Sequence, residues 1–313
     1  MAGIEPVPPR LRASARGTQL AAFGLIEWSL LGGVALMWGS AYLLIDIGLD
    51  ALAPPVVTFG RLVLGLATLA VLPSSWAPVA RAHWPRIAIL GIIWMAVPWS
   101  LFPVAQQWVA SSIAGALSAT SSLFAAVIAW SVLSYAPRWT QIAGLVGGFA
   151  GVAFIALGVR GEITGTILGV ALILIATLAY GVSLNLVIPL QQRYGAIPVL
   201  MRAQVVASVT VAPFAAAGIG RSSFEAPSLV AVVLLGVFGS AIAVAMMSTL
   251  LGRAGAARGS IAVYTIPAVA LLLGVTIRGE VVSAAQVIGI ALIVVGAYLT
   301  SRAEHGALLK RPH

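Results

Sequence analysis

The chain has 313 residues, of which 61% are hydrophobic and 8% charged, with 17 Lys+Arg against 8 Asp+Glu. A soluble domain carries roughly 25% charged residues because water has to wet its outside. This composition therefore excludes a soluble globular fold, and a mean hydropathy of +1.07 agrees. There is no cysteine, which excludes disulfides, thiolate metal sites and cysteine nucleophiles.

In chain order, residues 1–26 are polar and bear Pro and Arg, and are expected to be a disordered cytoplasmic segment. A cleaved signal peptide is not expected, since the first apolar stretch is long and leads straight into more. Charge-free runs come next, at 28–45, 62–80, 87–137, 139–159, 163–192, 203–220, 226–252, 259–277 and 281–301. A spanning helix needs ~20 apolar residues, so the run 87–137 holds two. The break belongs near Trp108-Val109-Ala110-Ser111-Ser112, where an interfacial Trp precedes a serine pair. The predicted spans are 28–47, 54–73, 87–108, 111–134, 139–158, 165–188, 197–218, 228–250, 257–277 and 282–301. The expected fold is all-α integral membrane with ten transmembrane helices.

His83, His305 and His313 fall in loops or the tail, so no metal cluster and no cofactor is expected. The basic residues sit singly between apolar runs, unlike the clustered footprint that binds nucleic acid. They read instead as charges that fix orientation. With the N terminus inside, cytoplasmic segments hold twelve Lys and Arg, and the outer loops hold three, Arg160, Arg221 and Arg278. The positive-inside rule then places both termini in the cytoplasm.

The sequence also repeats. A shift of 145 residues lays Gln141-x2-Gly144-x6-Gly151 on Gln286-x2-Gly289-x6-Gly296, Thr120 on Thr265 and Gly91 on Gly236. Near the starts of the halves the shift becomes 143 and 142, pairing Pro55 and Arg61 with Pro198 and Gln204, and Trp38-Gly39 with Tyr180-Gly181. Each half holds five helices, so the second enters the membrane from the opposite side. Two inverted five-helix repeats place a binding site near the midplane between the halves. The domains expected are the segment 1–26, a first repeat 27–160, a second 161–302 and a cytoplasmic tail 303–313.

Trp38-Gly39-Ser40-Ala41-Tyr42, then Ile47-Gly48-Leu49, Pro54-Pro55 and Arg61, resembles the first-repeat signature of the EamA-type drug/metabolite transporters. Leu251-Gly252-Arg253-Ala254-Gly255-Ala256-Ala257, then Tyr264-Thr265-Ile266-Pro267, Gly279-Glu280 and Gln286-x2-Gly289, resembles the second. The resemblance covers roughly residues 28 to 301. It implies a ten-helix fold with a central cavity, exporting amino acids, related metabolites or toxic small molecules. Two departures stand out. Asp46 occupies a place where that family often has a basic residue, and the first repeat lacks the Gly-Glu pair.

Ordering helix residues by depth gives a midplane set of Trp38, Tyr42, Trp94, Trp99, Ser118, Thr120, Ser121, Ser122, Thr177, Tyr180, Ser240, Tyr264 and Thr265. The expected substrate-binding residues are Trp38, Tyr42, Trp99, Ser118, Tyr180, Tyr264 and Thr265. Each hydroxyl has a plainer alternative in bonding its own or a neighbouring helix. Each ring could equally be packing bulk or an interfacial anchor. Pro267 breaks the helix ladder beside Tyr264, and Pro98 and Pro103 do so in the third span. Arg61 lies two turns inside the second span, where an ionisable residue is a functional candidate by default. Its expected partner is Asp46 or Asp50, as gate or as structural clamp. Gln204 is the neutral repeat mate of Arg61, and the other deep amides, Gln106, Gln107 and Asn185, could be gate or substrate contacts or equally helix-to-helix hydrogen bonds. Gly144-x3-Gly148 and Gly147-x3-Gly151 are expected to pack helices 5 and 10.

The reading is a secondary transporter of the bacterial inner membrane, multi-pass, its partners a small-molecule substrate and the bilayer. Amino acids or related compounds are the expected exported cargo, by alternating access. The alternative is a proton-coupled multidrug exporter of cationic aromatics using Asp46 or Glu27. An enzyme is disfavoured because no intramembrane His, Cys or paired carboxylates are available. A monomer and a homodimer both fit the sequence.

Overall fold

The computed structural model describes residues 24–133, 139–157, 163–254 and 261–308. Residues 1–23 of the expected N-terminal segment and residues 309–313 of the expected tail lie outside the described residues. Every element among the described residues is helical, with no strand. We label the helices α1 (Leu25–Leu49), α2 (Pro54–Ala70), α3 (Arg81–Ala105), α4 (Ser111–Ile128) and α5 (Trp139–Leu157). They continue as α6 (Ile163–Tyr194), α7 (Ala196–Gly218), α8 (Ala226–Leu251), α9 (Ile261–Arg278) and α10 (Ala284–Leu308). The helix α10 therefore carries on through residues 303–308, where the sequence predicts tail.

Seven of these, α1, α3, α4, α6, α7, α8 and α9, are long and apolar enough to cross a membrane by length and composition. The apolar stretches of α2, α5 and α10 are shorter. Large apolar side chains point outward, as Val209 (71% exposed), Phe214 (65%) and Leu272 (62%) show. Such a surface belongs in hydrocarbon and not in water. The interior is equally apolar, with Ile45, Leu117, Ile155, Ile173, Leu235 and Ile293 buried in one cluster.

Local chemistry sets the breaks. Pro54 and Pro55 open α2, where a missing N–H costs nothing. Gly195, at φ +86, makes the turn between α6 and α7 that an L side chain would strain. Two helices widen into π turns, α3 at Gly91–Ala96 and α8 at Leu235–Ile242. A π turn inserts a residue into the helical ladder and rotates the next turns of the helix about its axis.

Glycines set the closest helix crossings. Helices α5 and α10 meet backbone to backbone. A Cβ on Gly144 would lie 2.8 Å from the Gly296 carbonyl oxygen, and one on Gly151 would lie 2.5 Å from that of Gly289. Gly148 is blocked by Leu123 of α4, whereas a Cβ on Gly147 meets nothing within 4 Å. Gly147 thus departs from the expected packing role, because it turns away from the α10 seam. Elsewhere Gly39 of α1 faces Ile266 and Val269 of α9, and Gly181 of α6 faces Phe124 of α4. Gly91 of α3 sits against the Ala203 carbonyl of α7, and Gly236 of α8 against the Arg61 carbonyl of α2.

Candidate functional site

Arg61 is the most unusual residue of the interior. Its side chain is 9% exposed. The guanidinium lies over the Trp99 ring of α3, Cζ 3.8 Å from the centroid. Its Nε donates to Ser240 Oγ of α8 at 3.0 Å. Two backbone irregularities arrange this. Pro103 has no N–H to give the Trp99 carbonyl four residues back, and the Thr58 hydroxyl of α2 takes that carbonyl at 2.8 Å. Ser240 sits within the π turn of α8.

Aromatic residues complete the cluster. Tyr180 of α6 neighbours the Trp99 ring. Tyr42 of α1 neighbours Ser118 of α4, whose hydroxyl donates to the Gly115 carbonyl at 2.6 Å. Phe102 bridges the two phenols, its ring 5.4 Å from Tyr42 and 6.2 Å from Tyr180. The expected residues Tyr42, Trp99, Ser118 and Tyr180 therefore converge on Arg61. Phe102 was not anticipated, although its place three residues after Trp99 on one helix face was a usable signal.

The partner expected for Arg61 is wrong. Asp46 and Asp50 are both held by Arg278 at the end of α9, with Nε 2.5 Å from Asp46 Oδ2 and Nη2 2.7 Å from Asp50 Oδ2. Helices α1 and α9 pack closely through Gly39, so the last turns of α1 aim this i,i+4 pair at α9. Arg61 lies deeper in α2 and faces α3 and α8. The remaining acids with described side chains are engaged too. Glu27 pairs with Arg253, two residues past Leu251 of α8, at 2.7 Å. Glu280 accepts from Ser111 N at 2.8 Å, Ser111 Oγ at 2.7 Å and Ser112 N at 3.0 Å. Glu225 accepts from Ser223 Oγ at 3.3 Å. Among the described residues, no carboxylate lies within salt-bridge distance of Arg61.

The other candidates make contacts of their own. Trp38 donates its indole N–H to the Gly239 carbonyl at 3.0 Å and packs with Leu31 and Leu250. Tyr264 meets Tyr298 of α10 edge-on, centroids 6.0 Å apart. Thr265 bonds its own helix at the Ala262 carbonyl, 2.7 Å away. Thr120 and Thr177 tie α4 to α6 at 2.9 Å. Gln106 donates to the Tyr42 carbonyl at 2.8 Å, Gln204 to that of Leu62 at 3.0 Å, and Asn185 to that of Ala125 at 3.3 Å. Gln107 reaches only the Val104 carbonyl of its own turn. Pro267 is buried within α9, one residue after the Ile266 carbonyl that faces Gly39. Two cavities open elsewhere, one of about 540 Å³ beside Asp50 and Ser222, the other of about 430 Å³ beside Trp108 and Gln286. Neither is lined by Arg61.

The EamA-like transporter family model matches residues 26–157 and again residues 167–302. The chain belongs to this family. It is 28% identical over 283 residues to a probable terminal-alkyne amino-acid exporter of Streptantibioticus cattleyicolor, covering 89% of this chain and 94% of that one. It is 29% identical to the uncharacterized inner membrane transporter YedA of Escherichia coli, covering 86% and 89%. An uncharacterized transporter of Archaeoglobus fulgidus is 22% identical, with 88% and 99% covered. A solved crystal structure at 20% identity superposes with a TM-score of 0.58 over 91% of this chain and 99% of the other, which shows shared fold. The family and these relatives are transporters, which sets enzymatic readings aside.

Proposed function

We propose that this EamA-family chain is a secondary transporter that exports amino acids or related metabolites by alternating access around the Arg61 cluster. The observation that carries the reading is a buried guanidinium amid aromatic rings, with groups from both halves of the chain on it. Polar groups in hydrocarbon have to find partners, and intramembrane charges mark substrate paths by default. The kinship to a probable amino-acid exporter supports the cargo class.

The reading includes ten spans in two inverted repeats. Several glycine contacts support it, since they map onto one another under the sequence shift. Gly144 against Gly296 becomes Gly289 against Gly151, and Gly39 against Val269 matches Gly181 against Phe124. The π turns of α3 and α8 also correspond. The excess of basic residues in alternate loops supports cytoplasmic termini in a bacterial inner membrane. Helix α1 is clasped at both ends, to Arg253 and to Arg278, so opening toward either side parts one clasp.

Among the described residues no carboxylate joins the central cluster, which supports transport that is not driven by a midplane acid. Proteoliposomes preloaded with a panel of amino acids and aromatic cations test this. Release of amino acids is expected with or without a pH gradient. Release of cations alone, steeply dependent on the gradient and abolished by Asp46→Asn, would establish the proton-coupled multidrug reading instead.

A further inference from the structure

Resting on that transporter reading, we infer that Arg61 anchors the carboxylate of the transported molecule, so that cargo is selected for an anionic group and not for a cationic one. A guanidinium offers five N–H donors in a rigid plane. Here its face is spent on the Trp99 ring and one donor, Nε, on Ser240. A ring-stacked guanidinium keeps its donors directed outward in its own plane. The Nη1 and Nη2 groups make no hydrogen bond among the described residues, and together they form the fork that matches a two-oxygen acceptor.

The charge balance points the same way. Arg61 is nine-tenths buried, and all five acids with described side chains are committed elsewhere. A carboxylate entering the cluster neutralises a buried charge. A cation that brings no carboxylate of its own finds no acid there and meets a like charge, a costly juxtaposition. The phenols of Tyr42 and Tyr180 and the ring of Phe102 surround the anchor, which suits an apolar or aromatic body on that carboxylate. The repeat mate Gln204 is neutral, wholly buried and already bonded to the Leu62 carbonyl. The site therefore supplies one cationic anchor, fit for a monocarboxylate.

The test uses the full chain in proteoliposomes, with radiolabelled L-phenylalanine release challenged by two fragments of that molecule. The compound 3-phenylpropionate keeps the carboxylate and lacks the amine; phenethylamine does the reverse. We expect 3-phenylpropionate to inhibit at a concentration at least about tenfold below that needed for phenethylamine. Arg61→Lys, which keeps the charge and loses the fork, lowers phenylalanine release by about tenfold. Equal or stronger inhibition by phenethylamine overturns the anchor and leaves the transporter reading standing.

A binding measurement separates the two readings if no phenylalanine is released. The melting temperature of detergent-purified protein is tracked with 3-phenylpropionate, for the wild type and for Arg61→Gln. A rise in the wild type alone supports the anchor while defeating the transporter reading. No rise in either overturns the anchor as well. A rise of equal size in both does the same, because binding then does not need the guanidinium.

Discussion

Thr58 of α2 donates its hydroxyl proton to the carbonyl oxygen of Trp99 on α3, 2.8 Å away, the acceptor that Pro103 leaves open for want of an N–H. A proline in one helix is thus answered by a hydroxyl in the next. The ring that results from this placement is the one on which Arg61 lies.

Removing the donor should therefore be costly, and restoring an in-helix donor should repair it. Thr58→Val is expected to destabilise the protein by about 1–2 kcal/mol, the cost of a buried acceptor left unmet. Pro103→Ala supplies the missing N–H, so the double variant is expected to recover most of that loss. Melting of the four proteins in detergent checks this. A double variant no more stable than Thr58→Val would contradict the pairing.

Glu280 closes the N-terminus of α4 from a chain position 169 residues away, with three hydrogen bonds. Glu280→Ala removes a side-chain cap from backbone donors and is expected to cost about 1–2 kcal/mol. Glu280→Gln keeps an acceptor oxygen and is expected to fall between. The neighbouring Gly279 holds φ +65, so Gly279→Ala is expected to cost about 1 kcal/mol through backbone strain alone. Thermal unfolding of each variant is the measurement.

Glycines of α5 that look alike in sequence should behave differently. A Cβ on Gly151 collides with the Gly289 carbonyl and the Ile293 backbone, whereas one on Gly147 meets open space. Gly151→Ala is expected to destabilise by about 1–3 kcal/mol through overpacking. Gly147→Ala is expected to be neutral or to stabilise by about 0.5–1 kcal/mol, because alanine is the better helix former. Equal effects at the two positions would contradict the observed seam.

The helices were largely legible from charge and hydropathy, including the break between α3 and α4, predicted at residues 108–112 and observed between Ala105 and Ser111. Charges interrupt apolar runs because hydrocarbon excludes them, so this signal is written directly in the chain. Apart from Phe102, the residues around Arg61 were legible one by one, as aromatic and polar groups at similar depth. Their pairing was not. Asp46 and Asp50 are the acids nearest Arg61 in sequence, yet Arg278 of α9 reaches them, because the packing of α1 on α9 is a property of the folded bundle. The π turns leave no compositional trace either. Only Gly91 and Gly236, matched by the repeat shift, marked their positions.

The Arg278 clasp is partly exposed, with side chains 26–55% accessible. Its contribution to stability is expected to be about 0–1 kcal/mol, and its contribution to access larger. A cysteine introduced at Ser118, beside Tyr42, is expected to react severalfold faster with an impermeant maleimide when Arg278→Gln is also present. The gain should appear only from the membrane side that carries Asp46. An unchanged rate would mean that the clasp does not govern entry.

The same cysteine tests the central claim, that the Arg61 cluster is reached in turn from both sides of the membrane. The chain has no other cysteine, so Ser118→Cys gives a single reporter whose labelling can be timed in right-side-out and inside-out vesicles. The account predicts labelling from both faces, slowed in each case by L-phenylalanine. Labelling from one face only, or labelling that phenylalanine leaves unchanged on both, would contradict it.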